Sequence, residues 1–290
     1  MKNLCFLLTL AFALVSCVTQ SPTEEVETLA KPINIPDIDQ YADVSEGLIA
    51  FYRFNDNVED DSENENHCTD LTDSVYIEGI NGKAKYFDGI DDMLKLSNTL
   101  DVSNGLTFSF WLKSEGVRED NENGVVIAKY DKDTWGRCFM LNTQQSWTIN
   151  NPSLRLNLYP SPYTSNGADA VYSDLVTEQD LPGGRDSLDF NSINPMKLPL
   201  NEWVHCVVNV GDETIEAWIN GQLTVITRRA HSEYNNGSEY YHVDVDTFIG
   251  NCPRAGAGAN NHYRGSIDEL RIYDRRLKNA EILHLYTNKK

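Results

Sequence analysis

TIEAWINGQLTVIT, residues 214–227, sets two runs of alternating apolar and polar residues on either side of Asn220-Gly221. Both central positions of a two-residue type I′ hairpin turn need positive φ, which asparagine and glycine adopt at least cost. The spacing therefore predicts an antiparallel hairpin, and it makes period two the pattern to look for elsewhere. The same alternation runs through LIAFYRF (48–54), LTFSFWLKS (106–114), LRLNLY (154–159) and WVHCVVNV (203–210), as half-buried strands require. KYFDGIDDMLKL, GVVIAKY, VDTFIG and the opening SIDELRIY add further strands. Only LKNAEILHLY near the C-terminus has helical spacing, with Leu277, Ile282 and Leu285 able to share one face. Many short strands and one short C-terminal helix predict an all-β chain. Two antiparallel sheets stacked as a jelly-roll sandwich bury the alternate residues of both.

The 290 residues carry a formal net charge of −20. Such a chain repels phosphate backbones and anionic headgroups, and no Lys/Arg cluster makes a local exception, which excludes nucleic acid as a partner. The N-terminus, MKNLCFLLTLAFALVSC, has one basic residue, Lys2, an apolar run from Leu4 to Val15, then Ser16 and Cys17. That is the layout of a secretory signal, too short for a comfortable membrane span. Leu14-Val15-Ser16-Cys17 resembles the bacterial lipobox, and the resemblance implies cleavage before Cys17 and lipidation of that cysteine. The expected organisation is a lipoprotein signal peptide over 1–16, lipidated Cys17 with a flexible tether over 17–44, and a folded domain over 45–290. The mature chain is then exported and held by its lipid to the bacterial membrane, at the outer membrane or cell surface, without spanning it.

GLIAFYRFND, GINGKAKYFDGIDDMLKL, LTFSFWLKS, NEWVHCVVNV, TIEAWINGQ, TFIGN and GSIDELRIYDRRLKNAEILHLY follow one another in that order. The series resembles the laminin G-like (concanavalin A-like) jelly-roll domain common in bacterial surface and polysaccharide-handling proteins. The resemblance covers about residues 46–288, broken by a divergent insertion near 131–200. It implies a single jelly roll of two curved antiparallel sheets, often with a bound calcium, most often in carbohydrate binding or adhesion. It also implies that the Asp of the closing Ile-Asp-Glu motif, Asp268, serves that calcium. Calcium gathers six to eight oxygens, and the companions at hand are Asn55 and Asp56 after the first strand and Asp88 in YFDGIDD. Asp88-Gly89 is equally a turn whose Asp bonds its own backbone, and for Asp268 the other reading is a buried hydrogen-bonded acid.

A glycosidase needs two carboxyls converging on one bond, about 5 to 9.5 Å apart. Asp268 and Glu269 are adjacent in a strand, so they point to opposite faces unless a bulge intervenes. The Glu-x-Asp-x-x-Glu pattern of jelly-roll glucanases of the related lectin-like fold is matched nowhere. EYYHVDVD (239–246) comes nearest, with the wrong spacing. No catalytic residue is expected, and Glu269 is expected to pair with Arg271 two residues on. Where the family pattern caps the last helix with Ser or Asp, this chain has Lys278. Asn279 is left as the only nearby capping side chain, Glu281 loses its capping-box partner, and the helix is expected to start late or fray.

Once Cys5 leaves with the signal and Cys17 takes the lipid, Cys68, Cys138, Cys206 and Cys252 remain. Export permits disulfides, with three full pairings open, while Cys206 lies in the apolar alternation of Val204 and Val208 and reads as a reduced core thiol. Without a C-x-x-C, and with only scattered histidines, a zinc site is not expected.

Sugar rings offer apolar C–H faces and a rim of hydroxyls, so a glycan site needs flat aromatics flanked by amides, carboxylates and arginine. The insertion supplies Trp135, Trp147, Tyr159, Tyr163, Tyr172 and Arg185. A second cluster, RRAHSEYNNGSEYYH (228–242), adds Arg228, Tyr234, Tyr240 and Tyr241. Any single ring reads first as a pin for a long loop; as a set, on an exported chain, they point to binding. The expected function is noncatalytic binding of a poly- or oligosaccharide at the cell envelope. Two other classes stay open. One is a glycan hydrolase or lyase with its site in the insertion, drawing on His205, Asp174, Asp180 and Asp186; the other is a protein-binding adhesion module with an exposed apolar patch.

Overall fold

The computed structural model describes residues 42–73, 75–96, 100, 105–117, 123–130, 137–144, 153–158, 171–174, 198–211, 214–228, 245–252 and 261–289. In chain order its strands are β1 (Leu48–Tyr52), β2 (Cys68–Asp70), β3 (Tyr76–Glu78), β4 (Lys83–Asp88), β5 (Leu94–Leu96), β6 (Leu106–Ser114), β7 (Asn123–Tyr130) and β8 (Arg137–Gln144). They continue as β9 (Ser153–Leu158), β10 (Val171–Asp174), β11 (Trp203–Val210), β12 (Thr214–Ile219), β13 (Gln222–Arg228), β14 (Thr247–Ile249) and β15 (Arg264–Tyr273), and helix α1 (Asn279–Thr287) closes the series. Sheet A runs β13-β12-β11-β6-β15-β4-β3, with β1 also on β15; sheet B runs β10-β9-β8-β7-β14-β5-β2. The pairs are antiparallel, as the jelly-roll expectation requires. All described residues fall in one unit, Ile38–Lys290.

The hairpin forms as read. Asn220 at φ 49° and Gly221 at φ 74° join β12 to β13, with Ile219 opposite Gln222. The core lies between the sheets. Phe108, Phe110 and Leu112 of β6, Val204, Cys206 and Val208 of β11 and Ile267 of β15 face Val126, Phe139, Leu141 and Leu156 of sheet B. Phe108 and Phe139 meet across the gap with ring centroids 5.1 Å apart and planes tilted by 60°. At roughly 25 cal/mol per Å² of buried apolar surface, each such ring contributes about 2 to 3 kcal/mol. Cys68, Cys138, Cys206 and Cys252 are all buried, and Cys206 sits in the core as its alternation predicted.

Helix α1 lies on the outer face of sheet A, where Leu277, Ile282 and Leu285 pack with Val207, Trp218 and Tyr273. Its start differs from the expectation of a weakened cap. Lys278 has no side-chain cap bond, yet its N–H donates to Glu281 Oε2 at 2.5 Å, and Arg275 donates to both Glu281 oxygens at 3.0 and 2.8 Å. Glu281 thus keeps its half of the box, and Arg275 holds its carboxylate in place.

Strands β2, β3, β8 and β10 carry too little alternation to be read. In β8 the reason is burial on both faces: Phe139 and Leu141 enter the core while Met140 packs on the other side with Val125, Ala128 and Cys252. Strands β8, β9 and β10 lie inside 131–200, so this stretch supplies one edge of sheet B and is not only loop. Among the described residues two lysines are fully buried: Lys85, on the core side of β4, pairs with Asp70 of β2 and lies over the Tyr76 ring, and Lys129 donates to the Leu100 carbonyl. The acidic connection from β1 to β2 is wound around Asp60. Its Oδ1 accepts from the N–H groups of Phe51 (2.7 Å) and Ser62 (2.9 Å), and its Oδ2 accepts from Ser62 Oγ (2.7 Å) and Asn66 N–H (2.8 Å). No helix among the described residues is long and apolar enough to cross a membrane.

Candidate functional site

Strand β15 shifts register against β6 between Asp268 and Arg271, and Glu269 there adopts φ 51°. This is a bulge: one extra residue, in a conformation uncommon for non-glycine residues, lets Ile267 and Leu270 both reach the core although three positions apart. The divergence of Asp268 and Glu269 to opposite faces is therefore corrected. Asn81 meets both carboxylates, its N–H donating to Asp268 Oδ2 at 3.3 Å and its side-chain nitrogen to Glu269 Oε1 at 3.4 Å. Glu269 pairs with Arg271 at 2.8 Å, as its spacing suggested, and the Arg271 guanidinium lies 3.6 Å from the Phe51 ring centre.

Asp268 is fully buried. Its Oδ2 also accepts from Ile80 N–H at 2.7 Å and its Oδ1 from Glu269 N–H at 2.8 Å. Burial pushes its carboxyl up to about 6, and the N–H donors only partly offset that. Asn55 Oδ1 accepts from Lys83 N–H at 2.7 Å, so Asn55 and Asp268 grip the same turn, 79–82. That turn needs its glycines: a Cβ at Gly79 would strike Asp268 Oδ2, and one at Gly82, where φ is 82°, would strike Asn55 Oδ1. Asp56 is exposed beside them at φ 57°. Asp268 meets three N–H groups, the surroundings of a buried hydrogen-bonded acid.

Asp88, expected beside Asp268, lies elsewhere. Strands β4 and β15 align Asp88 with Arg264 and Lys85 with Ile267. This puts Asp88 about four residues along the sheet from Asp268, roughly 13 Å at strand spacing. Its Oδ1 accepts from Ile90 N–H at 2.7 Å, the turn bond that Asp88-Gly89 predicted. Asp91 and Asp92, overlooked in the same motif, bring their carboxylates within 4.8 Å of Asp88 and of one another.

His205, a loose catalytic candidate, stands in β11 with Nε2 3.1 Å from Ser109 Oγ. A serine nucleophile needs a basic histidine oriented through its other nitrogen. Burial here pulls His205 down to about 3, and Nδ1 has no hydrogen-bond partner, so the pair meets neither condition. Asp174 ends β10 opposite Arg155, and Asp180 and Asp186 lie outside the described residues. Outside them too are Cys17, Trp135, Trp147, Tyr159, Tyr163, Arg185, Tyr234, Tyr240 and Tyr241. Tyr172 is placed by its backbone in β10, opposite Asn157 of β9.

The family model of the concanavalin A-like lectin/glucanases superfamily matches residues 87–283. The chain belongs to this superfamily. Domain 4 of AbnA, a GH43 extracellular arabinanase from Geobacillus stearothermophilus solved with arabinotriose, is 20% identical at a TM-score of 0.56, over 83% of this chain and 98% of that one. The binding domain of Paraclostridial Mosquitocidal Protein 1 is 14% identical at 0.58, over 84% of this chain and 52% of that one. The binding domain of Botulinum Neurotoxin DC, solved with SialylT, is 9% identical at 0.55, over 86% and 53%. This lectin-like chain thus spans nearly all of the arabinanase domain and about half of each toxin fragment, and what it shares with them is the fold. No curated protein matches it.

Proposed function

We propose that the chain is a noncatalytic carbohydrate-binding lipoprotein of the bacterial cell envelope. The observation that carries this reading is a lectin-like jelly roll whose sheet B edge, β8 to β10, is interleaved with aromatic and amide-rich segments. Trp147 falls between β8 and β9, and Tyr159 and Tyr163 fall between β9 and β10. The chain therefore leaves opposite ends of β9 at these two segments, which separate mutants can address. A neighbour of the same fold solved with arabinotriose supports the reading, as do the vocabulary of the segments and the resemblance of residues 1–17 to a lipoprotein signal peptide over 1–16 followed by Cys17. A structural calcium belongs to it as well, with Asp88, Asp91 and Asp92 as the oxygen donors.

The test is a glycan array with the chain in calcium and then in chelator, alongside Trp147→Ala and Tyr163→Ala. Retention of one glycan class, lost in one or both aromatic variants, is the expected result. A folded, calcium-loaded chain that retains no glycan sinks the carbohydrate reading and leaves protein adhesion in its place.

A further inference from the structure

On the outer face of sheet A, β6 and β11 set Trp111 directly opposite His205, with ring centroids 5.2 Å apart. The last turn of α1 lays Tyr286 over both rings, 5.9 Å from Trp111 with planes 25° apart and 6.0 Å from His205 with planes 26° apart. Lys289 follows, its ammonium 4.8 Å from the Trp111 ring centre. Under this cover Trp111 is 4% exposed and His205 2%.

Three observations separate the cover from ordinary core packing. His205 Nδ1 is buried without a hydrogen-bond partner, a state that folded interiors seldom tolerate. The apolar cluster that docks α1 is built on Leu277, Ile282 and Leu285 against Val207, Trp218 and Tyr273, and includes neither Trp111 nor Tyr286. Beyond Tyr286, Thr287 and Asn288 bond back to Leu283 and His284 of the helix, so among the described contacts of residues 287–289 Lys289 over Trp111 is the tie to the sheet.

A flat ring lying nearly parallel to an indole, with a hydroxyl and an unmet ring nitrogen beside it, occupies the surroundings that a sugar ring needs. Its C–H face would stack on the indole and its hydroxyls would meet the polar atoms. We propose that Trp111, Ser109 and His205 form a sugar-ring subsite which the chain's own Tyr286–Lys289 segment occupies, and that a glycan ring enters by displacing Tyr286 while Ile282 and Leu285 keep α1 docked. The proposal rests on the carbohydrate reading and extends it to a second face of the sandwich. Because the strap and the glycan compete, the strap lowers affinity by the fraction of time it is seated.

The test compares the full chain with Tyr286→Ala, Lys289→Ala and the double variant Tyr286→Ala/Trp111→Leu. Titration calorimetry uses arabinotriose, xylotriose, cellotriose and chitotriose as probes, and acrylamide quenching of tryptophan fluorescence is read without sugar. Leucine at 111 keeps apolar bulk, and circular dichroism checks the fold; Tyr286→Ala with Trp111→Phe is the fallback. The expected results are a newly quenchable tryptophan in Tyr286→Ala, one trisaccharide bound about tenfold tighter, a gain of about threefold in Lys289→Ala, and reversal of the gain in the double variant. A trisaccharide that the wild-type chain binds with the same affinity in Tyr286→Ala overturns the subsite and leaves the carbohydrate reading standing. Weaker binding in Tyr286→Ala overturns it too, since Tyr286 would then contact the sugar. No binding in any variant overturns the subsite, while the glycan array decides the carbohydrate reading.

Discussion

Replacing Asp268 by asparagine and following stability against pH tests the account of the bulge. The Asp268 carboxyl is buried, and its pKa rises from 3.8 to about 6. A group with a raised folded pKa holds its proton more tightly in the fold than in the unfolded chain. Its stabilising contribution is therefore complete below pH 3.8 and is lost as pH rises through about 6. At 1.36 kcal/mol per unit the loss is about 3 kcal/mol. Asparagine does not titrate, so that loss is absent from the variant. Its carbonyl oxygen can serve Ile80 and Asn81, but its NH2 group then faces the Glu269 N–H, leaving one buried donor unmet at a cost of about 2 kcal/mol. Asp268→Asn should accordingly be about 2 kcal/mol less stable than wild type at pH 3.5 and about 1 kcal/mol more stable at pH 7, with the sign changing between. Urea unfolding of both proteins from pH 3.5 to 7.5 in chelator measures the difference directly. A difference independent of pH, or one that grows in favour of wild type as pH rises, refutes the reasoning, because the N–H donors would then outweigh burial. If that growth occurs only when calcium replaces chelator, Asp268 ligates a cation after all.

Asp60→Ala removes the acceptor of the Phe51, Ser62 and Asn66 N–H groups. It should cost about 3 kcal/mol and lower Tm by roughly 6 to 12 °C in a calorimetric scan; a loss below about 1 kcal/mol would mean that the loop is anchored elsewhere. Millimolar calcium should raise the Tm of wild type by several degrees and leave Asp91→Asn unmoved, Asp91 being the exposed member of the carboxylate trio. Equal shifts in the two proteins would remove calcium from the 88–92 loop.

What the sequence revealed follows the accessibility of each strand. The 214–227 hairpin was legible because its turn chemistry and its alternation agree, and α1 because Leu277, Ile282 and Leu285 keep their spacing above Trp218 and Tyr273. Strand β8 was not, because Phe139 and Met140 are covered from opposite sides and its polar residues Asn142 and Thr143, both buried, fall on opposite faces and blur the period. Lys85 misleads in the other direction, standing on the core side of β4 opposite Ile267 and neutralised by Asp70. The bulge did leave a trace. Ile267 and Leu270 are three apart where period two asks for two or four, and that slip marks Glu269 as the extra residue. What no local pattern carried is the pairing of Asp268 with the 79–82 turn, almost two hundred residues away. Only the strand order that sets β15 beside β4 creates it.

Asp268 and Glu269 also bear on the choice between enzyme and binder. Two adjacent carboxyls, one pushed toward neutrality by burial and the other paired with Arg271, have the electrostatic asymmetry that an acid and base pair uses. Here the asymmetry is sealed. Asp268 is 0% and Glu269 5% exposed, and their oxygens are taken up by Ile80, Asn81 and Arg271, so the pair works as a clamp on a turn. The clamp shares a row with the proposed subsite: Asp268 is opposite Trp111, and Trp111 is opposite His205, across three neighbouring strands. His205 N–H is in turn held by Asn220 Oδ1 at 2.9 Å, beside the hairpin turn. The backbone on either side of Trp111 is thereby held, and in the proposed subsite a ring that loses no freedom on binding would cost less affinity than one that must be ordered. The carboxylates that resemble a catalytic pair thus clamp the 79–82 turn onto the strand that runs beside Trp111.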